Sequence, residues 1–184
     1  PETMSGVRNF QSFEAEVGIL RMDLTRGHSK NWYSLEWNLG MSNLKMKGDK
    51  RFMTDADGNV TFGSYPEGTE PDFSQLWWLE GRLEFDVHRS LGKGSSLGLG
   101  VIWAQRGSVM LCQNYYRDMD QKYIRQVNEM TGMRNNHWSF KAEYLFAAGF
   151  LHCGIYAKYS PWSQFHSGCG PDFSPFSVGF TFTL

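Results

Sequence analysis

Between Leu76 and His88 the chain alternates without a break. Trp77, Leu79, Gly81, Leu83, Phe85 and Val87 fall on one side, and Trp78, Glu80, Arg82, Glu84 and Asp86 on the other. A period of two belongs to a β-strand, whose successive side chains point to opposite faces. Four charged residues in succession opposite an apolar stripe must lie on a strand with one wet and one greasy face. The rest of the chain has to supply partners for both.

It supplies them in the same period. Phe13, Ala15, Val17 and Ile19 oppose Ser12, Glu14, Glu16 and Gly18 on a strand running to about Leu24, with a phase slip near Leu20 that reads as a bulge. Trp32 to about Met46 follows, with Tyr33, Leu35, Trp37, Leu39 and Met41 opposite Ser34, Glu36, Asn38, Gly40 and Ser42. After the charged strand come Leu97 to Ala104, Trp138 to Phe146 and Leu151 to Ser160, each alternating. The chain ends on Phe176, Val178, Phe180, Phe182 and Leu184 against Ser177, Gly179, Thr181 and Thr183. An aromatic-rich terminal strand with a free edge would recruit other chains, and closure into a barrel removes that edge.

The connections alternate in length. Thr25–Asn31, Leu91–Ser95 and Ala147–Gly149 are short turns; Gly48–Asp72, Gly107–Asn136 and Pro161–Ser174 are long and polar. The first long loop holds Asp55-Ala-Asp57-Gly58-Asn59, which lacks the glutamate that closes an EF-hand and reads as a hairpin tip. In the second, Val109–Leu111 extends the preceding strand and Tyr123–Glu129 is read as a short helix.

The 184 residues make one domain, residues 1–184. No uncharged run reaches the roughly 18 residues a spanning helix needs. A mean hydropathy below zero does not exclude membrane strands, because half of their residues face a polar interior. A net charge of -1 with no Lys/Arg stripe gives no footprint for nucleic acid. No secretory leader is visible, so export places residue 1 after a cleavage site or at the start of a shortened chain. Cys112, Cys153 and Cys169 have no metal-finger spacing. They read first as structural or incidental thiols; in the barrel topology Cys112 and Cys169 both fall in outer loops and could form a disulfide in an oxidising compartment, and Cys153 would face lipid. No metal set or cofactor motif is read.

Which face is inside decides between a membrane barrel and a soluble lipocalin-like calyx. Gly18, Gly40, Gly98, Gly100, Gly154 and Gly179 share the polar face with Ser and Thr, as a narrow interior crowded by longer side chains requires; Gly81 does not. The tryptophans agree. With the last strand ending in the periplasm, Trp77, Trp78, Trp103, Trp138 and Trp162 come near the outer strand ends and Trp32 and Tyr33 at the opposite rim, with Tyr159 completing two aromatic belts. The expectation is an all-β, antiparallel, up-and-down transmembrane barrel of about eight strands, seven of them readable, with short periplasmic turns and long extracellular loops. Its lumen then holds Glu14, Glu16, Glu36, Glu80, Arg82, Glu84, Asp86, Arg106, Lys141, Glu143 and Lys158 as an ion-paired plug rather than an open pore. The alternative for these charges is a proton or ion path.

Leu79–Trp103, where a strand, a Gly-Lys-Gly turn and a glycine-alternating strand follow one another, and Trp138–Tyr159 followed by Ser177–Leu184, resemble the small outer-membrane β-barrels of Bacteroidota, the PorT-like group, and more distantly the OmpX and OmpA barrels. The end also resembles the C-terminal assembly signal of outer-membrane barrels, with Ser177, Gly179, Phe182 and Leu184 in its fixed positions. The resemblance implies eight strands, the outer membrane of a Gram-negative bacterium, insertion by its assembly machinery, and contact with lipid and lipopolysaccharide. Seven strands put the N-terminus outside. An eighth precedes Pro1, lies in Pro1–Asn9, or hides in Gly107–Asn136, and the last would invert the first half.

The functional expectation is a non-enzymatic barrel whose outer loops bind a partner protein or surface glycolipid, as a subunit of a larger outer-membrane complex. A lipid A-modifying acyltransferase or deacylase is the enzymatic alternative, for which His137 with Ser139 and His166 with Ser167 are the suggestive neighbours.

Overall fold

A computed structural model describes residues 13–25, 30–148 and 151–183. Ten strands follow in order: β1 (Phe13–Thr25), β2 (Asn31–Met46), β3 (Lys50–Thr54), β4 (Val60–Ser64), β5 (Glu70–Gly92), β6 (Ser95–Arg117), β7 (Tyr123–Glu129), β8 (Asn136–Ala148), β9 (Leu151–Tyr159) and β10 (Phe176–Thr183). Every pairing is antiparallel, and the described residues contain no helix. The main sheet runs β1-β2-β5-β6-β8-β9-β10. These seven are the strands whose alternation reads directly from the sequence.

The sheet curls into a half-barrel, far enough for Lys158 of β9 to meet Glu14 of β1 across the concave side. No ladder joins β1 to β10 among the described residues. Leu83, Phe85, Leu99 and Phe180 lie on the convex face, 44%, 45%, 61% and 75% exposed, whereas Glu84 and Asp86 on the concave side are 1% and 0% exposed. The phase slip in β1 is a bulge between Gly18 and Leu20. It leaves Ile19 and Leu20 both exposed and returns Arg21 to the concave side opposite Glu36.

The concave glycines mark where one strand's side chain crosses its neighbour. A Cβ on Gly98 would lie 2.8 Å from Glu143 Cγ and 2.9 Å from His88 Nδ1; one on Gly40 would lie 2.6 Å from the Arg82 guanidinium. On Gly100 it would collide with the Asp86 carboxylate, and on Gly179 it would come within 2.7 Å of the Tyr156 ring. Gly81, on the convex face, has only Trp37 Nε1 nearby, at 3.9 Å.

The long connections are more ordered than their composition predicts. β5 and β6 continue beyond the curl, past an irregularity where residues 107–109 of β6 stand against Leu79. Tyr123–Glu129 is not a helix: it is β7, paired with Leu111–Arg117. Seven residues make a marginal isolated helix, and the extended β6 offers a free edge reached by a tight turn at Asp118–Gln121. This strand does lie within 107–136, but it covers only the outer end of β6. Below it β6 pairs directly with β8, so the strand directions of the first half are not inverted. The readings that place a strand in Pro1–Asn9, a turn across residues 26–29 and 149, and Leu184 in the terminal signal lie outside the described residues.

β3 and β4 form the expected hairpin, with Gly58 at a φ of 80° in its tip. The Asp55 carboxylate there accepts from the Asn59 side-chain amide and from the Asp57 and Asn59 backbone N–H groups, which holds it below the usual carboxylate range. The hairpin closes over a small apolar core of Met46, Phe52, Val60, Leu76, Trp78, Cys112, Met130, Met133 and Phe165. Backbone bonds from Val60 N–H to Cys169 O (2.9 Å), Thr131 N–H to Gly58 O (3.1 Å) and His166 N–H to Gly132 O (3.0 Å) stitch the three long connections into one cap. Cys112 and Cys169 are both free thiols. Cys112 is buried, its Sγ 3.4 Å from Phe52 O, and burial pushes its thiol up to about 11.

Replacing Gly100 by Val should destabilise by about 1–3 kcal/mol through overpacking against Asp86, while Gly81→Ala should leave the unfolding temperature unchanged or raise it. Equal effects at both positions would contradict the assignment of faces. Iodoacetamide at pH 8 should label Cys169 in the native protein but Cys112 only after denaturation. The raised thiol pKa favours the fold fully below its ordinary value of 9.0, and that contribution is lost as pH rises toward about 11.

Candidate functional site

The alternation of β5 delivers Glu80, Arg82, Glu84, Asp86 and His88 to the concave side in one file, and the register sets what each meets. Arg82 lies level with Asn38 on β2 and Ala104 on β6. Its guanidinium, with 1% side-chain exposure, reaches Glu14 at 2.9 Å and Glu80 at 2.6 Å and also pairs with Glu16. Asn38 donates to Glu16 at 2.7 Å. Lys158 pairs with Glu14, and Arg106 and His137 stand 3.9 and 4.0 Å from Glu80. This outer cluster sets Glu14, Glu16 and Glu80 against Arg82, Arg106 and Lys158. Arg106 also donates to the Arg134 carbonyl and the Gln164 side chain, which ties the cluster to the cap above it.

A second cluster fills the inner half. Lys141 of β8 lies 3.1 Å from Glu143 on its own strand and crosses over Gly100 to pair with Glu84 and to come within 3.7 Å of Asp86 on β5. Glu36 pairs with Arg21 at 3.0 Å. The eleven charged residues expected in the lumen therefore divide into two groups. The sequence reading left out Arg21, His88 and His137. The bulge was the signal for Arg21, since one extra residue restores its parity. The two histidines share the parity of the charged residues beside them on β5 and β8.

A cavity of about 590 Å³ opens within the concave side and extends to the β1 and β10 edges, lined by Glu14, Glu36, Glu84, Lys141, Lys158 and Phe180 among others. Ser177 and Gly179 sit on the concave face of β10 and Phe182 on the convex face, 70% exposed.

The aromatic residues divide differently from expectation. Tyr33, Trp138, Tyr159 and Trp162 are 43%, 49%, 45% and 49% exposed, with Trp77 and Trp103 half-buried on the convex side. Trp32 and Trp78 are corrected: neither ring belongs to an outward belt. Trp32 stacks on His88 at 4.8 Å with 9° between planes. Trp78 is 6% exposed, donates Nε1–H to Glu80 at 3.1 Å and lies under the Arg106 guanidinium. Both share the parity of the charged file, and parity, not nearness to a strand end, decides the face. Trp37, which the sequence reading did not place in a belt, is 49% exposed in the register row of Leu83, Trp103 and Trp138.

On the cap, Phe73, Tyr115 and Tyr123 stack in a row with centroids 4.3 and 6.0 Å apart, and Lys45 Nζ lies 3.6 Å over the Phe73 ring. The outer edge of β7 pairs with no strand among the described residues. His137 and Ser139 lie two residues apart on the concave face of β8, and His166 and Ser167 are exposed on the cap. No hydrogen bond joins either pair among the described residues, so neither is a formed base–nucleophile couple.

No family model, no curated protein and no solved structure matches this chain. The reading of the site therefore rests on its own geometry.

Arg82→Met should destabilise by about 3–5 kcal/mol, because the buried Glu80 would lose its nearest cation, while Glu14 and Glu16, 17% and 29% exposed, would lose a partner they share with it. The additional change Glu80→Gln should recover part of this in a denaturant titration. An Arg82→Met protein as stable as the parent would show that the outer cluster does not hold the curl together.

Proposed function

We propose that this chain is a small outer-membrane β-barrel of a Gram-negative bacterium, of the kind found in the PorT-like group of Bacteroidota. In this reading its lumen is plugged by side chains and its folded outer cap binds a partner protein or a surface glycolipid within a larger outer-membrane complex. The observation that carries the reading is the inversion of faces: a band of Leu, Val, Phe and Trp side chains lies on the convex surface, while buried charge lies on the concave side. Water makes that arrangement costly and hydrocarbon makes it favourable, since exposed apolar area gains about 25 cal/mol per Å² on leaving water. A soluble carrier with its ligand inside needs the opposite lining.

The plug follows from charge. Arg82 and Lys141 each bridge several carboxylates, and these ion pairs stand across the concave side, with the cavity of about 590 Å³ beside them. Recognition then falls to the cap, where the Phe73–Tyr115–Tyr123 row and the free edge of β7 present aromatic area and unpaired backbone. The C-terminal residues Ser177, Gly179 and Phe182 would serve the assembly machinery.

Expressed in a Gram-negative host from its full natural reading frame, the protein should remain in the outer-membrane fraction through carbonate washing. Brominated lipid should quench Trp37, Trp103 and Trp138 in single-tryptophan variants but spare Trp32. Recovery in the soluble fraction without detergent, or quenching of Trp32 alone, would end the membrane reading. Cross-linking from position 123 tests the cap, with Tyr123→Asp expected to lose the partner, and an altered lipid A mass spectrum would replace binding with enzymatic activity.

A further inference from the structure

The inner cluster is left incomplete by its own ion pairs. Asp86 and His88 of β5 and Glu143 of β8 each bring a ligand atom to within 4.8 Å of one another. The three residues are 0%, 0% and 5% exposed. They meet because the intervening strand carries Gly98 and Gly100: Gly98 pairs with both His88 and Glu143, and Gly100 pairs with Asp86. A side chain at either position would occupy the space between them.

Two buried atoms of these residues have no hydrogen-bond partner, His88 Nδ1 and Asp86 Oδ1, the second with the Lys141 ammonium 3.7 Å away. The Ser34 hydroxyl explains how the imidazole is set. It lies 2.9 Å from His88 Nε2 and 3.4 Å from Asp86 Oδ2. If it gives its single proton to the carboxylate and accepts Nε2–H, the lone pair of Nδ1 faces Glu143 Oε1, 3.6 Å away. Two buried lone pairs in that arrangement are stabilised by a positive centre between them, which a proton or a metal ion supplies. Trp32, stacked on the ring, holds its plane.

The charges point the same way. Glu36, Glu84, Asp86 and Glu143 are paired among the described inner residues only by Arg21, which Asp23 also holds, and by Lys141. Ionised, they carry an excess of negative charge that a bound cation would offset. The outer cluster, by contrast, balances acid with base.

We propose that Asp86, His88 and Glu143 bind one divalent transition-metal cation, with Ser34 as the outer group that fixes the imidazole tautomer. One imidazole and two carboxylates suit zinc and its first-row neighbours, whereas calcium and magnesium prefer oxygen alone. Zinc–ligand bonds of about 2.0–2.2 Å would draw the three side chains together by roughly 1 Å, within the reach of side-chain rotation. Lys141 keeps Glu84 as its partner. The site would staple β5 to β8 across β6, and it depends on the concave geometry rather than on the membrane reading.

The test uses the full chain in detergent, stripped with chelator and titrated with zinc chloride alone, with bound metal measured after dialysis. The native protein should hold one zinc ion per chain and unfold at a higher temperature with it. His88→Gln and Glu143→Gln should each bind at least about a hundredfold more weakly, Ser34→Ala about tenfold, within the range of an outer-shell change. His166→Gln, on the cap, should bind as the parent does. X-ray absorption at the zinc edge of the native protein gives a readout independent of variant folding, expected to show one imidazole and oxygen at about 2.0–2.1 Å. Absence of stoichiometric zinc, a sulfur or all-oxygen shell, loss of binding in His166→Gln, or full retention in His88→Gln would each overturn the proposal.

Discussion

Lys141 reaches Glu84 and Asp86 because the residue between its strand and β5 is Gly100, which has no side chain to stand in the way. The same relation repeats where Arg82 covers Gly40, where His88 and Glu143 meet over Gly98, and where Tyr156 lies against Gly179. A curled sheet of seven strands has little interior, and the side chains that best fill it by charge are also the longest. Small residues beside them are the condition for packing, and packing is the condition for pairing. A buried charge that misses its partner costs several kcal/mol.

Strand parity sends the residues between the charged ones to the convex side, and in this chain those residues are apolar. The bulge at Gly18–Leu20 shows how strict this is. A single extra residue exposes two apolar side chains in succession and returns Arg21 to face Glu36. The same parity draws Trp32 and Trp78 inward. Their indoles serve the charged side chains, one by stacking on His88 and the other by donating to Glu80.

The cap obeys a different rule. Its residues come from segments distant in sequence, and its core forms only when the β3–β4 hairpin, the extension of β5 and β6, and residues 130–133 and 165 converge. None of these pieces has an amphipathic period long enough to announce itself. Tyr123–Glu129 shows the consequence: its seven residues fit a turn and a half of helix or a short strand equally well, and the free edge of β6 decides the matter. The outer end of the charged file gains from the cap, since Arg106 is held by Gln164 and the carbonyl of Arg134.

Period-two alternation by itself determined the seven strands of the curl, which side chains share a face, and hence that Glu80, Arg82, Glu84 and Asp86 would stand beside Lys141 and Glu143. That information is local, because parity is carried by each residue's immediate neighbours. Tertiary structure alone decided which charges pair, since pairing depends on register between strands tens of residues apart. It also decided that the long connections fold into a cap around Phe52 and Cys112, and that Asp86, His88 and Glu143 converge over two glycines. Register and convergence are set by free energy summed over the whole sheet, and no window of the sequence contains that sum.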